Sequence, residues 1–297
     1  MTDVAIFLKD SSERVEFFLS RFVKPDSSYN AGLAEAMRYS LLAGGKRLRP
    51  ALVYASYGIF SDDPDKVTPF AAAIEALHTY SLIHDDLPAM DNDDMRRGKP
   101  SNHKKFGEAQ AILAGDALLT EAFGIISNPA YTPHFNDTIR MKAVFKLASA
   151  AGLNGMTGGQ YADIEAEGKE ADAETVEYIH NNKTAALIEC AAALGAIAAS
   201  ADEKEVNALS SFGRYAGIAF QIRDDILDVT SSPDILGKSV MKDTANRKAT
   251  YPSVYSLEKS EEKAREYSEK AAAALDVFGK RAKILIDIAK FITARPS

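Results

Sequence analysis

Apolar residues recur at helical spacing at both ends of this chain. Two sets follow steps of three and four residues: Val15, Phe18, Leu19 and Phe22, and then Phe278, Ala282, Leu285, Ala289 and Ile292. Such spacing places each set on one face of a helix. Alternating runs of β-branched residues, which indicate strands, are absent from the sequence. The pattern predicts an all-α fold that is helical nearly throughout.

Short breaks rich in glycine, proline and serine divide the helical pattern. They fall at residues 25–29, 61–64, 98–100, 128–133, 152–159 and 231–237. None is long or low in complexity, which is typical of turns between helices rather than of linkers between domains. With 297 residues, the chain is long enough to form one large core. We therefore predict a single helical domain over residues 1–297.

Charge and cysteine content exclude several classes of protein. Lys and Arg number 35 against 42 Asp and Glu, a net charge of −7. Nucleic acid is therefore a poor partner, because its binding depends on Lys and Arg neutralising phosphates. The single cysteine, Cys190, can form no disulfide within the chain and suits a reducing cytoplasm.

The sequence also argues against a membrane span. The best candidate, Ala185–Ala199, is shorter than the roughly 18 residues that a span requires, and it contains Glu189. We expect it to form a buried helix. The N-terminal segment carries acidic residues early and lacks the long apolar stretch of a signal peptide, so we expect a cytoplasmic protein.

The segment HDDLPAMDNDD at residues 84–94 contains five aspartates and follows an apolar helical stretch. In an unbroken helix Asp91 would point about 120° away from Asp85. Pro88 kinks or ends the helix, so the chain can bring Asp91 back beside Asp85. Acids at a helix C-terminus oppose the helix dipole, which favours a bound cation over a solvated helix end.

A second acidic segment, QIRDDILD at residues 221–228, has helical spacing. Its polar and apolar side chains form two neighbouring stripes: Gln221, Asp224 and Asp228, and Ile222, Ile226 and Val229. Carboxylates one turn apart repel, and a cation between them removes that cost. Mg²⁺ typically takes one or two carboxylates plus phosphate oxygens. A surface salt-bridge face is the alternative for this stripe alone, but two such clusters in one helical chain favour metal binding.

Basic residues accompany both acidic segments. They occur in GGKRLRP at residues 44–50, in RRGK at 96–99, in KT at 183–184, and at Lys238, Lys242, Arg247 and Lys248. Glycines let backbone N–H groups approach an anion closely, and Lys and Arg bind phosphate oxygens. Each basic patch alone is typical of a solvated turn. Beside clusters that hold metal, the patches indicate a polyphosphate ligand.

Five motifs of this chain together resemble those of the trans-isoprenyl diphosphate synthases: GGKRLRP, HDDLPAMDNDDMRRG, GGQ at residues 158–160, KT at 183–184 and QIRDDILD. The resemblance spans roughly residues 35 to 255 in the family's order. It implies a large all-α bundle around a central cavity, usually in a homodimer. It also implies that isopentenyl diphosphate is joined head to tail to an allylic diphosphate with the help of three Mg²⁺ ions.

The same resemblance implies roles for individual residues. The metal ligands are expected to be Asp85, Asp86, Asp91, Asp224, Asp225 and Asp228, of which Asp86, Asp225 and Asp228 assist. The residues expected to bind isopentenyl diphosphate are Gly45, Lys46, Arg49, His78 and Arg97. Those expected to bind the allylic diphosphate are Arg96, Lys183, Thr184, Gln221, Lys238 and Lys248. Thr184, Gln221 and the carbonyl of Lys183 are expected to face the allylic cation as catalytic groups.

Product length is expected to depend on residues that precede the first aspartate. Relatives with two extra residues in the first motif, as Pro88 and Ala89 are here, tend to stop at C15 when an aromatic residue lies five positions before that aspartate. Tyr80 is that residue, and with Ser81 it would form the floor for the growing chain. On a helix Ser81 lies about 40° from Asp85 and Tyr80 about 140°, so a packing role for Tyr80 stays open. The expected product is farnesyl diphosphate, with geranylgeranyl diphosphate as the alternative.

Two other classes of helical protein share features with this sequence. A di-iron carboxylate bundle uses Glu-x-x-His pairs, and Glu75–His78 and Glu177–His180 have that spacing. That class leaves the paired aspartates and the basic glycine turn unexplained. A terpene cyclase shares an aspartate-rich motif, but its second metal motif differs and it lacks the basic turn for isopentenyl diphosphate.

Overall fold

The computed structural model describes residues 3–230 and 249–293. Helices dominate these residues, which confirms the predicted all-α class. Contacts divide the chain into two compact units, residues 1–144 and 145–297. The single domain over residues 1–297 stays a prediction.

Helix α4 is the central element of the first unit. This unit contains α1 Asp3–Phe22, α2 Ala31–Leu41, α3 Leu48–Tyr57, a 3₁₀ turn Pro64–Val67, α4 Thr68–Asp85, β1 Met95–Arg96, β2 Lys99–Pro100, α5 Asn102–Phe106 and α6 Glu108–Ser127. Helix α4 packs against α1, α2, α3 and α6 and is buried on nearly every face, as a helix that is apolar all round should be. Its last turn carries the first aspartate motif to the edge of this core.

Helix α7, Asp137–Ala151, contains the boundary, and the second unit continues from it. The later elements are α8 Met156–Ala166, α9 Ala173–Ile179, a π-helix His180–Ala185, α10 Ala186–Ala198, α11 Glu203–Thr230, α12 Tyr251–Val254, α13 Leu257–Ala274, a 3₁₀ turn Asp276–Ala282 and α14 Lys283–Thr293. Helix α10 is almost wholly buried, which confirms the expected buried helix. Helix α11 packs against it closely, since a Cβ on Gly213 would lie 2.7 Å from the Cα of Glu189.

Two expectations about apolar faces need correction. Ile222 and Ile226 are buried, but Val229 is 55% exposed because it lies in the last turn of α11. The C-terminal pattern does not form one helix, since Gly279 adopts φ 54° and ψ −132° within the 3₁₀ segment that precedes α14. Phe278 remains buried on its side of this break.

Two of the expected turns also differ in detail. Residues 98–100 belong to a small antiparallel hairpin, in which β1 pairs with β2. Residues 152–159 are only partly a turn, because α8 begins at Met156. The break at 231–237 lies outside the described residues.

Among the residues that the structure describes, one helix, α6, is long and apolar enough to cross a membrane by length and composition alone. Several of its side chains, including Leu118, Ile125 and Ile126, are buried in the core of the first unit. Core helices of soluble proteins have the same character, so this is weak evidence of a span. The expected absence of a membrane span stays a prediction.

Candidate active site

The first aspartate motif folds back on itself where α4 ends. The N–H of Asp91 donates to the carbonyl of Asp85 at 2.9 Å, and the N–H of Asp93 donates to that of Asp86 at 3.2 Å. The backbones of Asp85 and Asp91 are therefore adjacent, as the position of Pro88 predicted. Both carboxylates belong to residues at the negative end of the α4 dipole, where a cation is favoured.

Asp86 is buried and paired with Arg96 of β1. Its exposed fraction is 2%, and Nε of Arg96 donates to its two oxygens at 2.9 and 3.2 Å, while Nη2 donates to Oδ1. Burial raises the pKa of the Asp86 carboxyl, and the guanidinium only partly offsets this. The expected metal-assisting carboxylate and the expected diphosphate-binding cation thus neutralise each other.

The hairpin brings the RRG motif against the basic glycine turn. Arg97 and Gly98 have φ of 53° and 74°, which suits the two central residues of a type I′ turn. Nη1 of Arg97 donates to the carbonyl of Gly44. Gly45 has φ 120°, and a Cβ there would lie 2.8 Å from Cζ of Arg97, so only glycine fits. Two residues expected to bind isopentenyl diphosphate, Gly45 and Arg97, are therefore in contact.

Arg47, in the same turn, has a structural role. It lies in the left-handed region with φ 45°, and its side chain is buried. Its guanidinium donates to Glu75 at 2.5 Å, to Glu16 at 3.0 Å and to the carbonyl of Leu41 at 2.6 Å. These contacts commit Arg47 to the fold, and of the cations in this motif Lys46 and Arg49 stay as candidates for ligand binding.

Arg49 and His78 lie in a strongly positive environment. Burial lowers the pKa of Arg49 to about 10; Glu75 opposes this, and the charge of Arg97 adds to it. Burial also lowers the pKa of His78 well below its usual range, as do the charges of Arg49, Arg97, Arg47 and Arg96. Nε of Arg49 is buried and has no hydrogen-bond partner within residues 3–230 and 249–293. Crowded cations with an unused donor indicate a site for an anion.

In the second unit, Lys183 lies in the π-helix and donates to Asp163 of α8 at 2.5 Å. A Cβ on Gly159 would lie 2.1 Å from the backbone N of Lys183, so the glycines of the GGQ motif let α8 approach the KT motif. Asp163 was not among the site residues expected from the sequence. It lies four residues after Gly159, so the helical spacing puts both residues on one face of α8.

Thr184 contacts Gln221, which in turn contacts Asp225. The Thr184 hydroxyl donates to Oε1 of Gln221 at 2.8 Å, and Nε2 of Gln221 donates to Oδ1 of Asp225 at 3.0 Å. Oδ2 of Asp225 accepts from the backbone N of Tyr251 at 2.9 Å and lies 3.2 Å from Nε2 of His180. Asp225 is 5% exposed and engaged at both oxygens, so its metal role stays a prediction.

Asp224 and Asp228 are half-buried on α11, beside the buried Ile222 and Ile226, as the stripes predicted. Lys46 is exposed in the glycine turn of the first unit. Lys238 and Lys248 lie outside the described residues. The ligand roles of all five stay predictions.

The residues expected to set product length lie in the last turns of α4. Tyr80 is 8% exposed, and its ring meets that of His84 edge-on at 5.5 Å between centroids. Ser81 donates to the carbonyl of His78 at 2.9 Å. A Cβ on Gly115 of α6 would lie 2.1 Å from Nε2 of His84, so α6 approaches this turn closely. The position of Tyr80 is compatible with both a floor and a packing role.

Among the described residues, no three His, Cys, Asp or Glu side chains are grouped so that they could hold a metal ion unaided. Mg²⁺ needs only one or two carboxylates when phosphate completes its coordination, so the paired aspartates fit Mg²⁺. A di-iron centre needs a larger preformed group of Glu and His. Glu75 instead binds Arg47, and Glu177 accepts from Tyr255 at 3.3 Å.

Residues 30–283 match the family model of the polyprenyl synthetases. A farnesyl diphosphate synthase of Bacillus subtilis is 45% identical over 297 residues, which cover 97% of each chain. A chloroplastic geranylgeranyl pyrophosphate synthase of Capsicum annuum is 48% identical over 263 residues, 88% of this chain and 71% of that one. A geranyltransferase from Helicobacter pylori, crystallised with magnesium and isoprenyl diphosphate, is 32% identical, with a TM-score of 0.83 over 98% of this chain and 97% of its own.

The chain therefore belongs to the polyprenyl synthetase family, whose members share this all-α fold and depend on Mg²⁺. It is a prenyltransferase.

Proposed function

We propose that this prenyltransferase joins isopentenyl diphosphate to dimethylallyl and geranyl diphosphates and releases farnesyl diphosphate and pyrophosphate. The observation that carries the proposal is the positive environment of Arg49, Arg97 and His78 beside Gly45 in the first unit. A diphosphate there would offset the repulsion among the arginines and supply acceptors for their N–H groups. The Bacillus subtilis relative, 45% identical, is named for the same product.

The direct test is to incubate the protein with Mg²⁺, isopentenyl diphosphate and a radiolabelled C5 or C10 allylic diphosphate, and then to size the products. We expect C15 as the main product from either starter. Reactions without isopentenyl diphosphate serve as the control and should return only the starter. No elongation from either starter would contradict the proposed function.

In the first unit, we assign Gly45, Lys46, Arg49, His78 and Arg97 to isopentenyl diphosphate. We assign Lys183, Thr184 and Gln221 of the second unit to the allylic substrate. Arg96, Lys238 and Lys248 are assigned to its diphosphate. The C–O bond of the allylic diphosphate breaks, and pyrophosphate leaves with the electron pair. The double bond of isopentenyl diphosphate attacks the allylic cation, and the released pyrophosphate takes up the proton whose loss restores a double bond. Thr184 and Gln221 place oxygen atoms near the developing positive charge.

We propose three Mg²⁺ ions per active site, two held by Asp85 and Asp91 with help from Asp86, and one held by Asp224 with help from Asp225 and Asp228. When bound, Mg²⁺ supplies positive charge that stabilises the departing diphosphate.

Tyr80 is proposed to stop chain growth at C15. Tyr80→Ala removes a ring that is 8% exposed, and we expect the product to shift from C15 toward C20 because the floor deepens. Chromatography of the products from labelled geranyl diphosphate measures the shift. Tyr80→Phe, which keeps the ring, is the matched control and should leave the C15 product unchanged. An unaltered C15 to C20 ratio in Tyr80→Ala would show that Tyr80 is a packing residue.

Geranylgeranyl diphosphate is the second candidate product. The observation that favours it is the 48% identity with the Capsicum annuum enzyme, which is named for that product. The same product sizing separates the two, since the wild type would then yield mainly C20.

We also propose that the enzyme is a cytoplasmic homodimer and that α6 forms its interface. Ile112 and Leu113 of this helix are 43% and 56% exposed. We expect Leu113→Glu to reduce the mass in solution to that of a monomer. A twofold interface contains the same residues from both subunits, so this substitution places two carboxylates in it. Light scattering measures this mass. Leu153→Glu, at a leucine that is 81% exposed outside α6, is the control and should keep the dimer mass. A dimer that survives Leu113→Glu would place the interface elsewhere.

A further inference from the structure

Polar contacts from His180 to Thr184 form one continuous chain in the second unit. Asp225 is its centre: Oδ2 accepts from the backbone of Tyr251 at 2.9 Å and lies 3.2 Å from Nε2 of His180, while Oδ1 accepts from Gln221 at 3.0 Å. Gln221 in turn accepts from Thr184 at 2.8 Å. His180, Thr184 and Asp225 are all buried. The chain thus links a histidine outside the assigned site to two groups assigned to the allylic cation.

The direction of each hydrogen bond in this chain is fixed. The backbone N–H of Tyr251 can only donate, and an ionised Asp225 can only accept. Gln221 must therefore turn its NH₂ group toward Asp225, because the flipped amide would set two acceptors against each other. Oε1 of Gln221 then faces Thr184, so the single hydroxyl proton of Thr184 is used in donating to it. The lone pairs of the Thr184 oxygen are left over, and these are the part of a hydroxyl that stabilises a cation.

His180 is itself held in one orientation and one tautomer. Its ring stacks on that of Tyr251 with centroids 4.9 Å apart. Nδ1 of His180 is buried and, in the described part of the chain, has no hydrogen-bond partner, whereas Nε2 faces the carboxylate. We assign the ring proton to Nε2, because this nitrogen faces Oδ2 of Asp225 at 3.2 Å and can donate to it. Gln221 donates to the other oxygen of the same carboxylate.

We propose that His180 is a positioning residue for allylic ionisation: through Asp225 it orients the Gln221 amide and so directs the lone pairs of Thr184 at the allylic cation, an inference that rests on the function proposed above. His180 touches neither substrate in this assignment. Its effect is on a charge that exists only after the C–O bond begins to break, so it changes kcat rather than substrate binding.

Two substitutions separate the donor of His180 from its ring. His180→Phe keeps a ring that can stack on Tyr251 but removes the donor, whereas His180→Gln keeps an N–H near the position of Nε2 but loses the ring. We expect His180→Phe to lower kcat by about ten- to a hundredfold, less than the loss of a direct transition-state contact. We expect His180→Gln to stay within about threefold of the wild type, and KM for both diphosphates to change by less than about twofold in either variant.

The outcomes discriminate sharply. A ring that only packs would give the reverse order, with His180→Gln the slower variant, and that result would overturn the proposal. Equal rates in the two variants, or a loss that appears in KM, would overturn it as well. Thermal unfolding of both variants checks that they fold.

A measurement on the wild type stands apart from activity. ¹⁵N NMR of the five histidines, with His180 assigned by its absence from His180→Gln, should show the Nε2–H tautomer. A proton on Nδ1 would overturn the proposal even if His180→Phe failed to fold. The proposed function fails separately, because it requires that the wild type elongate an allylic diphosphate at all.

Discussion

Asp85→Asn is expected to lower turnover by at least about a hundredfold, since even the outer-shell partners of a metal site cost 10- to 100-fold when they are removed. The carboxylate lies where α4 ends and where Asp91 folds back, so its loss removes one of two proposed ligands. The fold should survive, because the substitution keeps the shape of the side chain. Steady-state turnover at saturating substrate measures the loss, and thermal unfolding measures stability.

Asp10→Asn, at an exposed aspartate of α1, is the matched control and should leave turnover unchanged. Excess EDTA should abolish activity in the wild type, and added Mg²⁺ should restore it. Full turnover in the presence of EDTA would contradict the role of both aspartate clusters.

Arg47→Met and Arg49→Met are expected to have opposite consequences, although the two arginines are two residues apart. Arg47→Met leaves Glu75 buried without its guanidinium, and breaking such a buried pair costs about 3–5 kcal/mol of unfolding free energy. Arg49→Met removes a guanidinium whose Nε is buried and has no partner within the described residues, so stability should hold. Urea unfolding of the two variants measures the difference.

Arg49→Met should instead weaken isopentenyl diphosphate. One charged hydrogen bond is worth roughly 1.5–3 kcal/mol, which corresponds to about a ten- to hundredfold loss in affinity. The affinity for the allylic substrate should change much less, and KM for each substrate reports this. An equal loss for both substrates, or a stable Arg47→Met protein, would show that the two roles are wrongly divided.

The sequence was sufficient for the class of fold and for the kind of ligand. Helical periodicity is a local property, and the aspartate and basic motifs carry their chemistry in contiguous residues. The return of Asp91 to Asp85 could be predicted because Pro88 acts within a few residues of both. The sequence also predicted that Gly45 allows a close approach of the backbone to another group. It did not predict that Arg97 lies against this glycine.

Contacts between distant segments could not be predicted in this way. Asp163 binds Lys183, and His180 reaches Asp225, through packing of helices whose separation no spacing in the sequence reveals. The different roles of Arg47 and Arg49 depend on the left-handed backbone of Arg47, whose side chain reaches the buried Glu75. The same limit explains the break at Gly279, where a periodic apolar pattern continues through a change in backbone direction.

The pairing of Asp86 with Arg96 makes ligand binding an exchange of partners under the proposed assignments. If Asp86 turned to Mg²⁺ alone, the guanidinium of Arg96 would keep, among the described residues, only its contact with Asp93 at 3.5 Å. A diphosphate alone would do the reverse and leave a buried carboxylate without its counter-ion, which is costly. When metal and diphosphate arrive together, both charges find new partners at once. Each ligand therefore raises the affinity for the other by the same factor, as thermodynamic linkage requires.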